Sequence, residues 1–197
     1  MARPIEKREH IEHGLLEVVS RKGLPATTIQ DIADAANVSP GLLYRYWKSR
    51  DDLAADVYQK HYMALIQRLA DLASAEGDVV DKLRALVKGF LQFADEQPRL
   101  LRFLLLSYHD LADRLTGEAG IRALLRGLFD DGMASGVLRR MDPDLAMQLL
   151  LGTVLQPAIG AVYGHLSSPV SRHFDDIFGA VQRALLAPQN AGASGPD

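Results

Sequence analysis

Helix-start signals recur along this chain, and they constrain its fold more than any other feature. Thr28, Ser49 and Asp78 each precede an acidic residue three positions later, which is the spacing of a capping box. Asp142 and Ser168 each stand directly before a proline, which suits the first position of a helix. Between these signals apolar residues follow helical spacing, and no segment alternates like a half-buried strand. The sequence therefore predicts an all-α fold of about nine helices.

The expected helices cover almost the whole chain. Gly23 and Asn37 follow two of them, because glycine ends helices and asparagine tolerates the left-handed conformation of a tight turn. Residues 188–197 are polar and rich in glycine and proline, and we expect a disordered tail there. In chain order, helices are expected at about residues 5–21, 28–36, 39–46, 50–75, 78–95, 98–106, 118–133, 143–165 and 169–187.

Composition narrows the class of protein. Of the 197 residues, 48% are hydrophobic and 24% charged, which is typical of a folded chain and excludes wholesale disorder. The lack of cysteine excludes a disulfide framework, a thiolate zinc site and a cysteine nucleophile. The net charge of −3 argues against a uniformly basic nucleic-acid coat, so any basic surface must be local. Residues 1–7 lack the apolar segment of a signal peptide, and we expect a cytoplasmic protein.

One uncharged stretch, residues 145–166, is long enough to cross a bilayer. It also contains two glutamines, a histidine, a proline and three glycines, a combination that disfavours a membrane span. We interpret the stretch as a helix that is buried in the protein or in a subunit interface.

Sequence patterns of catalysis are missing. The chain has no GxSxG motif, no HExxH motif and no phosphate-cradling glycine loop. His10 and His13 stand three residues apart beside Glu9 and Glu12, but no third metal ligand is evident. We interpret this stretch as a solvated charged face, and we expect no metal, no cofactor and no enzymatic activity.

Residues 28–46 carry the pattern that indicates a function. They form two short helices joined by a tight turn, the helix-turn-helix pattern, whose second helix can lie in the major groove of DNA. Pro40 and Gly41 leave the start of that helix small, so its free N–H groups can approach a phosphate. We expect Trp47 to be a core residue rather than a DNA contact.

The predicted DNA contacts lie on both helices and just after them. Hydroxyl, amide and cationic side chains are suited to phosphates, and Arg45 also has the reach for a base edge. Leu42 is apolar and suits the methyl group of a thymine. The predicted contacts are Thr28, Gln30, Ser39, Pro40, Gly41, Leu42, Tyr44, Arg45, Tyr46, Lys48 and Arg50.

The stretch TTIQDIADAANVSPGLLYRYWKSRDDL, residues 27–53, resembles the DNA-binding signature of the TetR/AcrR family of transcriptional regulators. The signature's helix cap, turn end and aromatic pair correspond here to Thr28, Val38-Ser39 and Tyr46-Trp47. Several spacings hold together, which makes the motif specific. Asn37, Trp47 and Gly14 replace the family's usual Gly, Phe and Ala, and none of these departures removes a predicted DNA contact.

The resemblance implies an all-helical homodimer with two functional parts. Residues 1–49 would be the DNA-binding domain, and residues 50–187 would bind an effector and form the dimer. Two recognition helices related by a two-fold axis would read a near-palindromic duplex. The family usually represses transcription, and a small, hydrophobic effector would release the operator by tilting the helix that starts at Arg50.

The resemblance also directs attention to apolar and aromatic residues of the second part. Gln156 precedes Pro157, which kinks a helix and frees a carbonyl, so this amide is suited to face a cavity. The predicted effector pocket comprises Tyr58, Tyr62, Phe90, Phe93, Phe103, Tyr108, His109, Gln156 and Tyr163. The predicted dimer interface comprises Leu151, Leu155, Ile159, Val162, Phe174, Phe178 and Val181.

The alternative is a helical protein that binds a ligand or a protein partner and does not use its helix-turn-helix on DNA. The intact Pro40, Gly41, Tyr44, Lys48 and Arg50 argue against it. Replacing Tyr44 and Lys48 with alanine distinguishes the two, because DNA binding would be lost only if the motif reads DNA.

Overall fold

The fold is all-α, as predicted. The computed structural model describes residues 4–75, 77–111 and 120–188, which contain nine α-helices, one 3₁₀ turn and no strand. Residues 189–197, most of the predicted tail, lie outside the described part of the chain. The helices are α1 (Pro4–Lys22), α2 (Ile29–Ala35), α3 (Pro40–Tyr44), α4 (Arg50–Ser74), α5 (Val79–Glu96), α6 (Pro98–Leu111), α7 (Ile121–Ala134), α8 (Pro143–Val162) and α9 (Phe174–Leu185).

Packing groups the chain into two compact units. The first unit comprises Met1–Gln67 and Glu96–Gly117, and so contains α1 to α3, most of α4, and α6. The second comprises Arg68–Asp95 and Glu118–Asp197, with the end of α4, most of α5, and α7 to α9. The expected boundary at residue 50 divides functions rather than packed units, and it stays a prediction.

The first unit forms its core around the predicted face of α1. The helix α2 approaches α1 closely at Gly14, where an added Cβ would lie 3.0 Å from the carbonyl oxygen of Ile32 and the amide nitrogen of Ala36. Glycine at this position therefore lets the two helix backbones meet. The fully buried residues of α1 are Ile11, Leu15, Val18 and Val19.

Both predicted turn residues have the expected backbone. Gly23 has a φ of 78° and follows the last residue of α1. Asn37 has a φ of 53°, a left-handed conformation that asparagine adopts more readily than most residues. This turn lets the Val38 N–H donate back to the Ala33 carbonyl at 2.9 Å and separates α2 from α3.

The last helix of the second unit starts later than expected. Asp95 accepts the N–H groups of Val170 at 2.6 Å and Ser171 at 2.9 Å, and a 3₁₀ turn forms there. The α-helix α9 begins only at Phe174. The prediction of a helix start at residue 169 capped by Ser168 is wrong, because a carboxylate far away in the sequence supplies the acceptors.

Helix α8 leaves much of its apolar surface uncovered. By length and composition it is a candidate membrane span, yet only 28% of its most apolar stretch is buried inside the described chain. Ala146, Met147 and Leu150 pack inward, whereas Leu145 is 53% and Leu149 38% exposed. The interpretation as a helix buried in its own chain is therefore wrong for this face, and the alternative of a helix in a subunit interface stays a prediction.

Candidate nucleic-acid interface

The start of α2 is held by a hydrogen-bonded network centred on Asp31. The Thr28 hydroxyl accepts from the Asp31 N–H at 3.2 Å, and the Thr28 N–H donates to the Asp31 carboxylate at 2.7 Å. The predicted capping box is thus present. Lys22, at the end of α1, donates to the same carboxylate at 2.7 Å and ties the two helices together. The sequence interpretation missed Lys22, although a lysine ending the preceding helix was a usable signal.

This network keeps Asp31 ionised. The hydrogen bond from Lys22, followed by those from the Thr28 hydroxyl and N–H, holds the pKa of the Asp31 carboxyl well below its usual range. The N–H and the hydroxyl of Thr28 both donate to the Asp31 carboxylate, at 2.7 and 2.5 Å. Thr28 therefore has no unused hydrogen-bond donor in this structure, and its contact with the DNA backbone stays a prediction.

Helix α3 presents the most exposed part of the predicted set. It is short, Pro40–Tyr44, and Leu43 is buried beneath it. Ser39 occupies the N-cap position, and its hydroxyl makes no cap hydrogen bond. Tyr44 is 59% exposed, an unusual state for a large aromatic side chain. Arg45, Gly41, Ser39 and Lys48 are exposed as well, whereas Pro40, Leu42 and Tyr46 are half-buried.

Trp47 anchors this surface from below, as predicted. It is 7% exposed, and its indole N–H donates to Asp56 of α4 at 2.8 Å. The guanidinium of Arg8 lies over both the Trp47 ring, at 5.2 Å, and the Tyr46 ring, at 5.5 Å. These contacts fix α3 to α1 and α4 and leave only part of Tyr46 for DNA.

Arg50 is engaged inside the protein. Its Nη1 donates to the carbonyl oxygens of Leu24 at 3.1 Å, Pro25 at 3.3 Å and Thr27 at 2.8 Å. Its Nε and Nη2 contact the Asp51 carboxylate at 2.7 and 2.6 Å. The expectation of a phosphate contact does not fit this geometry, because the guanidinium holds the loop between α1 and α2.

Gln30 is exposed, as a backbone contact requires, but its amide is not free. The Nε2 atom donates to Asp34 at 2.8 Å, one helical turn along α2. The amide carries two N–H groups and this bond uses one, so a phosphate contact by Gln30 stays a prediction.

Glu12 lies inside the first unit rather than on a solvated face, so that interpretation is wrong for this residue. It is 8% exposed, and its two carboxylate oxygens accept from Lys60 Nζ at 2.9 and 2.8 Å. His61 Nε2 lies 3.4 Å from the same carboxylate. Burial lowers the pKa of His61, and Glu12 opposes that shift without reversing it. An ion pair therefore connects α1 to α4.

The aromatic residues of the predicted effector pocket lie in two clusters. In the first unit Tyr58 stacks on Tyr62 at 5.8 Å and meets Phe103 at 6.2 Å. Burial raises the pKa of the Tyr58 phenol, and Tyr62 adds to the shift. In the second unit Phe90 lies 6.5 Å from Phe93. Tyr58, Phe103 and Phe93 are buried in their own units, whereas Tyr62 and Phe90 are half-buried.

The other pocket candidates are exposed in the described chain. Tyr108 is 52% and Tyr163 43% exposed, and both His109 and Gln156 are on the surface. Their assignment to an effector pocket therefore has no support from burial. Gln156 lies on the open side of α8.

The predicted dimer residues divide into two groups. Phe178 and Val181 are 3% and 1% exposed, because the apolar stripe of α9 packs into its own unit. The guanidinium of Arg84 lies 4.5 Å from the centre of the Phe178 ring, and the Phe174 ring stacks on the Phe178 ring with their centres 5.6 Å apart. Phe178 and Val181 are therefore core residues, which corrects their placement in an interface. The half-buried candidates are Leu151, Leu155, Ile159, Val162 and Phe174.

The fold and this surface define an all-helical DNA-binding protein with a helix-turn-helix near its N-terminus. Residues 13–57, from the middle of α1 into α4, match the family described as bacterial regulatory proteins, tetR family. The chain is 24% identical over 159 residues to the HTH-type transcriptional repressor KstR2 of Mycolicibacterium smegmatis, covering 76% of this chain and 74% of that protein. The resemblance predicted from the motif is confirmed for residues 13–57, which carry the helix-turn-helix of this family.

Solved structures agree in fold over almost the whole chain. The fatty acid degradation regulator FadR from Bacillus halodurans has a TM-score of 0.79 at 20% identity, covering 92% of this chain and 96% of that one. FadR from Bacillus subtilis in complex with stearoyl-CoA has a TM-score of 0.72 at 18% identity, covering 88% and 96%. At this identity the similarity shows the fold. Members of the family are regulators rather than enzymes.

Proposed function

We propose that this protein is a cytoplasmic repressor that binds a near-palindromic operator as a homodimer and is released by a small hydrophobic effector. The observation that carries the proposal is the exposure of Tyr44, Arg45 and Lys48 over a buried Leu43 and Trp47. Large aromatic and cationic side chains exposed on a well-anchored surface are suited to phosphates and base edges.

The individual roles follow from the groups that each side chain exposes to solvent. Arg45 and Lys48 are exposed cations, and Tyr44 has an exposed hydroxyl, so all three suit phosphates. Leu42 is half-buried and presents an apolar edge that suits a thymine methyl. Gly41 has open space where a Cβ would stand, which permits close approach of the duplex.

The uncovered face of α8 supports the homodimer. Leu145 and Leu149 are exposed one helical turn apart, with Gly152 and Gln156 continuing the same side of the helix. A second copy of the chain would cover this face, and a two-fold axis would place two α3 helices on one duplex. Such symmetry matches a near-palindromic operator.

Helix α4 is the element through which an effector would act. Three contacts fix its first half to the DNA-reading helices and their loop: Arg50 to the loop carbonyls, Trp47 to Asp56, and Glu12 to Lys60. Its last turns, after Gln67, belong to the second unit. A ligand that tilts α4 would move α1 to α3, and a coupling of about 1–3 kcal/mol would weaken operator affinity about 5- to 150-fold.

The first experiment measures binding to a fluorescent duplex from the DNA upstream of the protein's own gene, with excess random duplex as competitor. Binding that persists in the presence of the random duplex supports a sequence-specific regulator. The Tyr44→Ala, Lys48→Ala double variant should lose binding but keep its oligomeric state. Lys88→Ala is the control, because Lys88 is an exposed lysine of the second unit. If the double variant binds like the wild type, the motif does not read DNA.

Stearoyl-CoA is the first effector probe, because it is the ligand of the Bacillus subtilis FadR structure. We expect a long acyl chain to release the DNA and coenzyme A without an acyl chain to have no effect, because only the acyl chain supplies the apolar surface of the proposed hydrophobic effector. Unchanged operator affinity at saturating stearoyl-CoA would exclude this effector class. The DNA-binding part of the proposal would stand.

A further inference from the structure

Lys22 carries unused hydrogen-bond donors beside the start of α2, whereas Thr28 does not. Thr28 directs its N–H and its hydroxyl to Asp31, at 2.7 and 2.5 Å. A phosphate oxygen only accepts hydrogen bonds, so a contact here needs a donor that Thr28 does not have free.

Lys22 has such donors. Its Nζ lies 2.7 Å from Asp31 Oδ2, and an ammonium carries three N–H groups, so this bond uses one of them. The Lys22 side chain is 34% exposed, which leaves room for a second partner.

We infer that Lys22 contacts a DNA phosphate beside the start of α2, in the role expected of Thr28, while it keeps its ion pair with Asp31. The inference rests on the DNA-binding function proposed above. On DNA, the Lys22 ammonium bridges the phosphate and the Asp31 carboxylate, and Thr28 keeps its capping box.

The two residues have opposite effects on DNA affinity. Removal of the Lys22 charge loses a phosphate contact, whereas removal of the Asp31 charge loses a repulsion between carboxylate and phosphate. If Lys22 acted only as a structural partner of Asp31, replacing either residue would harm binding in the same way.

The test uses the full chain and a fluorescent duplex of random sequence, titrated at salt concentrations from about 50 to about 200 mM. Lys22→Met should lower the slope of log affinity against log salt by about 0.9 per subunit, which is about 8-fold in affinity at about 0.1 M salt. Asp31→Asn keeps an acceptor for Thr28 and should bind at least as tightly as the wild type with an unchanged slope. Lys88→Met controls for the loss of any lysine, and thermal melting checks that each variant folds.

An unchanged slope in Lys22→Met overturns the inference, as does an equal loss of affinity in Lys22→Met and Asp31→Asn. These outcomes differ from failure of the DNA-binding function, because in that case the wild-type protein itself would show no salt-dependent binding. A lower salt slope in Lys22→Met and an unchanged slope in Asp31→Asn, with a wild type that is folded and binds DNA, would support the contact between Lys22 and a phosphate.

Discussion

At the residue scale, the basic side chains of the helix-turn-helix segment have different structural roles. Arg45 and Lys48 are exposed, whereas Arg50, a few positions on, holds three carbonyls of the α1–α2 loop. The three cations look alike in the sequence. The loop geometry assigns Arg50 to folding, because its fork of donors meets three loop carbonyls at once, and only that of Leu24 also has a backbone N–H partner among those described.

We expect Arg50→Met to lower the free energy of unfolding by about 1.5–3 kcal/mol, the range for hydrogen bonds to a charged group. Urea denaturation measures this change. Arg45→Met is the matched comparison, because Arg45 is exposed, and its stability should stay within about 0.5 kcal/mol of the wild type. Among folded variants, Arg45→Met should lose more DNA affinity than Arg50→Met. An Arg50→Met variant that is stable but has lost DNA affinity would contradict the assignment.

The pKa of His61 predicts a pH dependence of stability. The folded pKa lies below the ordinary 6.5, chiefly through burial, so in the window between these values the unfolded chain binds more protons. The free energy of unfolding therefore rises with pH across this window and falls on acidification. Thermal melts over a pH series should show a shallower dependence in His61→Gln. The exposed His10→Gln is the control, and a slope equal to that of the wild type in His61→Gln would refute the prediction.

At the element scale, glycines within one helix have opposite consequences. Gly127 and Gly132 both lie in α7, and both weaken a helix by their backbone freedom. A Cβ on Gly127 would meet nothing within 4 Å, whereas a Cβ on Gly132 would lie 2.6 Å from the Leu138 side chain. Gly132 is therefore required by the packing of Leu138, and Gly127 is not.

Gly127→Ala should raise the free energy of unfolding by about 0.5–1 kcal/mol through helix propensity. Gly132→Ala should lower it by about 1–3 kcal/mol, because the branch carbon of Leu138, and not only its tip, blocks the new methyl. Denaturant melts of the pair measure both changes. Equal effects in the two variants would mean that Leu138 moves aside freely.

At the scale of the whole molecule, the exposed face of α8 predicts the oligomeric state. Leu149→Lys combined with Leu145→Lys places two charges in the proposed interface, where their desolvation opposes association. We expect a folded monomer with weak operator affinity, measured by sedimentation equilibrium and DNA titration. Val137→Lys, at the same 38% exposure as Leu149 but in the turn after α7, should remain a dimer. A dimer of unchanged affinity in the double variant would place the interface elsewhere.

The sequence alone determined the helices and the reading motif, because these depend on residues within about four positions of one another. The Thr28 capping box, the left-handed Asn37 and the buried face of α1 are as expected for this reason. The burial of Trp47 was also predictable, since it follows the spacing of the motif.

The tertiary structure decided which side chains remain free, because a partner far away in the sequence can take up donors and acceptors. Glu12 meets Lys60, Arg50 meets the carbonyl of Thr27, and Asp95 caps the turn at Val170. No local pattern encodes these pairings. Burial likewise depends on how helices pack and not on the apolar pattern of one helix. Phe178 is therefore buried in the core, whereas Leu145 is exposed.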